Sequence, residues 1–163
     1  MTKMNPVAYL NNLNVDKMRF GLKSITGLLS CLGNPQNKYK TIIIAGTNGK
    51  GSTAAMTAAI LQSAGYRVGL YTSPHLVDVR ERIVVDSKKI SRMEFNQTIV
   101  HVKEKMAQPL TYFEFLTAVA FVHFQNQKVD IAALEVGLGG RLDATNVCRP
   151  LVSIITNIAF DHM

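Results

Sequence analysis

A glycine-rich stretch with a single lysine carries the clearest chemical signature in the sequence. It lies at residues 46–52, between an apolar run and an alanine-rich run. Its members are Gly46, Thr47, Asn48, Gly49, Lys50, Gly51 and Ser52. Glycines let backbone N–H groups converge on phosphate oxygens, the N-terminus of a following helix adds a positive dipole, and the lysine adds a mobile charge. A turn that only reversed the chain would leave Lys50 unexplained, so we predict a phosphate-binding loop.

This loop differs from the common phosphate loop, which reads G-x-x-x-x-G-K-[ST]. Only two residues separate Gly46 from Gly49, and Gly51 occupies the position at which a hydroxyl residue usually follows the lysine. The departure indicates a specific subfamily of nucleotide-binding proteins.

Polar residues also fall at the ends of other apolar runs. Glu135 lies near the end of an otherwise apolar strand, where a carboxylate is costly unless it is paired, and a metal ion is a natural partner. Lys50, Ser73 and His162 likewise follow predicted strands. In open α/β sheets ligands gather beyond the carboxyl ends of the strands, so we expect these groups to converge on one crevice. From the residues alone, a loop hydrogen bond for Ser73 and a core position for His162 stay open.

The strands that position these groups are predicted from short apolar runs rich in β-branched residues. Such runs lie at residues 41–45, 67–72, 129–136 and 151–158, and a small β-excursion is predicted at 83–90. Strands that are apolar throughout are typical of a parallel sheet covered on both faces.

Helices are predicted between these strands. Apolar residues at helical spacing predict one helix at residues 18–32, and an alanine-rich run predicts another at 52–64. Gly33 and Gly65 should end these helices. Two S/T-x-x-E capping boxes, at residues 91–94 and 111–114, should each open a further helix. The alternation of strands and helices implies right-handed crossovers, and therefore an α/β fold with a mainly parallel sheet flanked by helices.

Composition narrows the class of protein. The chain has 163 residues, 47% of them hydrophobic, which suits one folded domain. Its net charge of +7 comes from scattered lysines and arginines, which suit a polyphosphate or carboxylate ligand as well as a nucleic acid. Its two cysteines have no metal-site spacing, and no apolar stretch reaches membrane-spanning length. We expect a cytoplasmic monomer with no nucleic-acid or membrane partner.

The loop resembles the ATP loop of the Mur ligase superfamily, and its Lys-Gly-Ser ending resembles the folylpolyglutamate synthase/dihydrofolate synthase branch. Three further segments agree with that branch: YTSPHL at residues 71–76, LEVGLGGRLDATN at 134–146 and TNIAFDH at 156–162. The resemblance implies a P-loop NTPase-like Mur ligase central domain. It also implies that residues 1–163 form the ATP- and Mg²⁺-binding N-terminal part of a longer, two-domain ligase.

The resemblance assigns roles to particular residues. It implies Mg²⁺ ligation by Ser73, Glu135 and His162, with Ser52 near the metal-bound nucleotide, and catalytic roles for Lys50, Glu135 and His162. Oxygen ligands suit Mg²⁺, whereas imidazole is a softer ligand that would also suit Mn²⁺.

Two segments are implied to bind the pterin substrate. They comprise Thr111, Tyr112, Phe113 and Glu114, and then Leu142, Asp143 and Ala144. Aromatic side chains offer stacking area to a flat heterocycle. From composition alone the aromatic residues would be core residues, Thr111 and Glu114 would cap a helix, and Asp143 would serve a turn or a cap.

The implied reaction is an ATP-dependent amide ligation. ATP would phosphorylate a carboxylate of dihydropteroate or of a folate, and the amine of L-glutamate would then attack the acyl phosphate. Which of the two acceptors dominates is not decided by the sequence. A cell-wall Mur ligase is the nearest alternative, although the Lys-Gly-Ser ending and the TYFEF segment disfavour it. A P-loop switch protein and a truncated nucleotide-binding module without turnover are further alternatives, and a GTPase would need an N-K-x-D motif that is absent.

Overall fold

The computed structural model describes residues 5–13 and 21–159. The six strands are β1 Lys40–Ala45, β2 Val68–Tyr71, β3 Ile83–Val85, β4 Lys88–Lys89, β5 Ile131–Glu135 and β6 Val152–Ile155. The α-helices are α1 Pro6–Asn11, α2 Lys23–Cys31, α3 Lys50–Ser63, α4 Arg92–Glu104 and α5 Tyr112–Asn126. Short 3-10 helices lie at Pro35–Asn37, Val79–Arg82 and Ala144–Val147. None of the helices in these described ranges is long and apolar enough to cross a membrane.

The strands form one mixed sheet in the order β4-β3-β2-β5-β1-β6. Strands β2, β5, β1 and β6 run parallel, whereas β3 and β4 add an antiparallel hairpin at one edge. The predicted α/β class with a mainly parallel sheet is therefore confirmed. The β-excursion predicted at residues 83–90 is this hairpin.

Both faces of the sheet are covered, which explains why the central strands are apolar throughout. On one face lies the strongly buried helix α5, whose phenylalanines belong to the larger core cluster together with residues of α2 and α4. On the other face, α3 presents Ala54 and Ala58 to the sheet, so the helix can approach closely. Strand β5 is buried at every position because it has strand neighbours on both sides and helices above and below.

The predicted helix boundaries follow local chemistry. Helices α2 and α3 end before Gly33 and Gly65, whose φ angles are 78° and 91°. The backbone N–H of the residue after each glycine bonds back into the last helical turn, from Asn34 to Leu29 and from Tyr66 to Leu61. Both predicted capping boxes are formed, at Ser91 and at Thr111.

Two boundaries differ from the predictions by more than two residues. Helix α2 begins at Lys23 rather than at residue 18, and residues 18–20 lie outside the described part of the chain. Strand β6 ends at Ile155 rather than at residue 158. The reason is that Asn157 turns away from the sheet and bonds to the glycine-rich loop instead.

Two glycines give a matched test of packing. A Cβ at Gly69 in β2 would lie 2.9 Å from the Phe124 ring, whereas a Cβ at Gly27 in α2 would meet nothing within 4 Å. We expect Gly69→Ala to lower the free energy of unfolding by about 1–3 kcal/mol through overpacking. Gly27→Ala should raise it by about 0.5–1 kcal/mol, because alanine is the better helix former. Urea unfolding of the two variants measures both effects, and a neutral Gly69→Ala would contradict the close approach of Phe124.

Candidate functional site

The glycine-rich loop joins β1 to α3 and leaves the helix N-terminus open. Gly49 is the N-cap residue of α3, has a φ of 79° and provides no side-chain cap. The first backbone N–H groups of a helix have no partner within the helix, and together with the helix dipole they form an anion site. The Lys50 side chain folds back over the loop, where Nζ donates to Gly46 O at 2.9 Å and to Thr47 O at 3.0 Å.

Glu135 lies beside this helix N-terminus. Its side chain is 4% exposed, at the carboxyl end of β5, and Oε2 accepts a hydrogen bond from Ser73 N at 2.8 Å. A Cβ at Gly51 would lie 3.4 Å from Glu135 Oε2, so position 51 faces the carboxylate. Burial raises the pKa of Glu135, whereas the Ser73 N–H and the positive charges of Lys50 and Arg82 act to lower it.

This carboxylate fits a hard metal ion. The hydrogen bond from Ser73 N is the only one assigned to the Glu135 carboxylate in the described ranges, so this carboxylate keeps lone pairs for another ligand. Glu135 and Ser73 both line the cleft, and their oxygens are of the type that Mg²⁺ prefers. Among residues 5–13 and 21–159 no group of three His, Cys, Asp or Glu residues converges, and His162 lies outside them. A metal bound here would therefore share its coordination with phosphate oxygens or water.

A single cleft of about 980 Å³ brings most of the predicted site residues together. Of these, its lining includes Thr47, Asn48, Gly49, Lys50, Gly51, Ser52, Ser73, Thr111, Phe113, Glu114, Glu135, Leu142, Asp143 and Ala144. Gly46 is not among the lining residues, and its carbonyl accepts a hydrogen bond from Lys50 Nζ. Tyr112 instead lines a second cleft, so the structure does not bring it into the first.

The segment at residues 111–114 serves both the helix and the cleft. Thr111 N and Oγ1 donate to Glu114 Oε2 at 2.8 and 2.9 Å, which completes the cap of α5. Glu114 Oε1 is buried at the cleft and has no hydrogen-bond partner in the part of the chain that the structure describes. An unpartnered buried acceptor is costly, so this oxygen is suited to a ligand N–H or O–H group.

The loop after β5 is held by Asp143. Its Oδ2 accepts from the backbone N–H groups of Gly137 and Leu138 at 2.9 and 3.0 Å, and its Oδ1 accepts from Thr145 N and Oγ1. A Cβ at Gly137 would overlap the Phe113 ring, so glycine is needed for the ring to pack there. Asp143 therefore shapes the wall of the cleft, and its assignment to the substrate remains a prediction.

Sequence reasoning missed several residues of the cleft, including Gly21, Leu22, Arg141 and Arg82. Arg82 Nε donates to His75 Nδ1 at 2.9 Å, and its guanidinium lies 5.6 Å from the centre of the Tyr112 ring. Nothing in the local spacing marks these residues, because only the tertiary fold brings them to the cleft.

Comparisons with known proteins agree with this geometry. Residues 44–163 match the protein family described as the Mur ligase middle domain. A Bacillus subtilis protein named dihydrofolate synthase/folylpolyglutamate synthase is 44% identical over 160 residues, which cover 90% of this chain and 37% of that protein.

Two solved structures are similar over nearly the whole chain. The Escherichia coli FolC structure in complex with DHPP and ADP has a TM-score of 0.90 at 38% identity, over 96% of this chain and 38% of that one. A bifunctional folylpolyglutamate synthase/dihydrofolate synthase with Mn, AMPPNP and L-glutamate bound has a TM-score of 0.89 at 40% identity, again over 96% and 38%. The chain thus spans less than two fifths of these relatives' lengths.

The pKa of Glu135 has a consequence for stability. Because this pKa is raised on folding, ionisation of Glu135 costs stability as the pH rises above the ordinary glutamate pKa of about 4.3. We expect Glu135→Gln, which keeps an acceptor for Ser73 N–H, to raise the thermal midpoint at pH 8 in the absence of ligands. The gain should vanish at a pH below the ordinary pKa.

Glu94 gives a control of opposite sign. The Ser91 hydroxyl and backbone lower the pKa of Glu94, so its ionised form stabilises the fold above the ordinary glutamate pKa. Glu94→Gln should therefore lower the midpoint at pH 8 and lose this effect in acid. Thermal unfolding followed by circular dichroism at both pH values measures the pair, and a loss of stability in Glu135→Gln at pH 8 would contradict the interpretation.

Proposed function

We propose, starting from the fact that this chain belongs to the Mur ligase middle-domain family, that it is the nucleotide- and metal-binding part of an ATP-dependent ligase. The ligase would join L-glutamate to dihydropteroate, to a folate, or to both. One observation carries the proposal: a single cleft is lined by an open phosphate loop, by the buried Glu135 carboxylate and by Thr111, Phe113 and Glu114 at the start of α5.

The names of similar proteins support the substrates. The E. coli structure holds DHPP and ADP, and the bifunctional synthase holds Mn, AMPPNP and L-glutamate. Because this chain resembles both over almost its whole length, we assign the same classes of ligand to its cleft: a nucleoside triphosphate, a divalent cation and a pterin with a carboxylate. The amine substrate would be L-glutamate.

The phosphate loop would bind the nucleotide through backbone N–H groups. On binding, Lys50 Nζ would leave Gly46 O and Thr47 O and contact the γ-phosphate oxygens, whose charge it would neutralise during transfer. The substrate carboxylate attacks the γ-phosphorus, the bond to the β-phosphate oxygen breaks, and ADP leaves. The amine of glutamate then attacks the acyl carbon, loses a proton and expels phosphate.

The metal would be held by Glu135 and Ser73, and by His162 according to the family resemblance. When bound, Mg²⁺ supplies positive charge that stabilises the transferring phosphoryl group. The chain contributes a buried carboxylate in a setting of low polarity, where electrostatic attraction to a cation is strong.

The pterin would lie against Phe113, with Glu114 Oε1 accepting a hydrogen bond from one of its N–H groups. Phe113 is half-buried and lines the cleft, so part of its ring is available to a ligand. Glu114 Oε1 is a buried acceptor that has no hydrogen-bond partner in the described ranges. A flat heterocycle that carries N–H donors at its edge matches this pair.

The proposal extends to the cellular setting. We expect the reaction to take place in the cytoplasm, where ATP and glutamate are plentiful. We also expect the protein to act as a monomer. A cell-wall Mur ligase is less well supported, since the similar proteins reported above carry folate names.

Lys50→Ala tests the phosphate loop. Loss of a hydrogen bond to a charged group costs about 1.5–3 kcal/mol, so ATP affinity should fall about 10- to 100-fold. The exposed Lys105, at the end of α4, provides a matched Lys→Ala control that should leave the affinity unchanged. Calorimetric titration of both variants decides the question, and equal affinities would remove the phosphate-loop assignment.

Hydrogen exchange tests the pterin wall. Dihydropteroate, added with a non-hydrolysable ATP analogue, should slow amide exchange around residues 111–114 and at Gly137 to Ala144. Phe113→Leu keeps an apolar side chain but removes the stacking ring, so the protection should weaken. Protection that appears only outside these two segments would show that the aromatic residues serve the core alone.

A further inference from the structure

The chain that follows β6 is bonded to the glycine-rich loop at several points. Thr156 N donates to Ala45 O at 3.0 Å, and Thr156 Oγ1 donates to Asn48 O at 2.7 Å. Asn157 accepts two loop amides, from Thr47 N to its backbone O at 2.9 Å and from Asn48 N to its Oδ1 at 2.8 Å. One side of the loop is therefore hydrogen-bonded to Thr156 and Asn157.

Because peptide groups are planar, hydrogen bonds on one side of the loop also fix the direction of the carbonyls on its other side. In a trans peptide the C=O and the N–H point in opposite directions. Two N–H groups of the loop face Asn157, and the carbonyls of the same two peptides belong to Gly46 and Thr47. Those two carbonyls hold Lys50 Nζ at 2.9 and 3.0 Å. Asn157 and Lys50 thus hold the same two peptides from opposite sides.

Thr156 acts on the next peptide in the same way. Its hydroxyl holds the Asn48 carbonyl, so the N–H of Gly49 in that peptide points away from Thr156. Gly49 is the N-cap of α3, and both Asn48 and Gly49 line the cleft. A side chain at Gly46 would overlap Thr156 Oγ1, so the glycine there lets Thr156 approach.

We propose that Thr156 and Asn157 are positioning residues for the phosphate site. Thr156 directs the Gly49 N–H toward the bound anion. Asn157 orients the carbonyls of Gly46 and Thr47, which hold Lys50 Nζ before it moves to the anion. The inference rests on the proposed binding of nucleotide phosphates by this loop, and it adds a mechanism by which a segment outside the loop controls that binding.

The first experiment separates the Thr156 hydroxyl from its bulk. Thr156→Val removes the hydroxyl and keeps the shape, whereas Thr156→Ser keeps the hydroxyl. ATP and inorganic triphosphate serve as probes in calorimetric titrations, since the second tests the phosphate site without the base. Thr156→Val should weaken both probes about 10-fold, as expected when one hydrogen bond to a charged group is lost, and Thr156→Ser should stay near wild type.

Thr98→Val is the matched control. Thr98 is buried in α4, and its hydroxyl donates to Glu94 O at 2.7 Å, so this variant also removes an internal hydroxyl bond. It should bind triphosphate like the wild type. The amide signal of Gly49 in nitrogen–proton spectra adds a local readout: triphosphate should shift it in the wild type and much less in Thr156→Val.

The second experiment tests Asn157 through a double-mutant cycle. If Asn157 acts through Lys50, Asn157→Ala should weaken triphosphate binding in the wild-type background and change it less than about twofold in the Lys50→Ala background. An equal loss in both backgrounds would overturn the role of Asn157. Thr156→Val with wild-type affinity, or Thr156→Ser as weak as Thr156→Val, would overturn the role of Thr156. If the wild type itself binds neither probe, the proposed function has failed instead.

Discussion

The parallel register of β1 and β5 is the constraint on which the rest of the site depends. It pairs Ile44 with Glu135, so the two strands end together at one edge of the sheet. The chain leaving β1 becomes the glycine-rich loop, and the last residue of β5 provides the carboxylate beside it. A shift of this register by one residue would reverse the side-chain direction of β5 and turn Glu135 away from α3.

The same register brings together two groups that lower the stability of the free protein. The buried Glu135 carboxylate accepts a single assigned hydrogen bond among the described residues, and the open N-terminus of α3 lacks a side-chain cap. Both features are unfavourable in the free protein and favourable once a cation and an anion are bound. The opposing stabilisation comes from the larger core, where α5 packs against the sheet with Phe115, Phe121 and Phe124 fully buried. Packing in this core therefore offsets the stability that is lost at the site, which is organised for binding ligands.

The loop itself is shaped from outside. Several of its groups are hydrogen-bonded to Thr156, Asn157 or Ala159, on a segment more than a hundred residues later in the chain. Gly46 and Gly49 permit this shape because their positive φ angles carry little penalty in glycine, but they do not select it. Selection comes from hydrogen-bond partners on the chain that follows β6.

What the sequence alone determined about this protein follows from chemistry that is local in the chain. The β-branched run of β1, the capping boxes at Ser91 and Thr111 and the glycine stops at Gly33 and Gly65 each depend on residues a few positions apart, and each was predicted. The resemblance to a known family added which polar residues to examine. Only the tertiary structure decided that Tyr112 faces a second cleft while Phe113 lines the first, that Arg82 reaches the site, and that β6 ends early to hold the loop. These outcomes depend on strand order, register and contacts between residues far apart in the chain, and such contacts leave no periodic trace in the sequence.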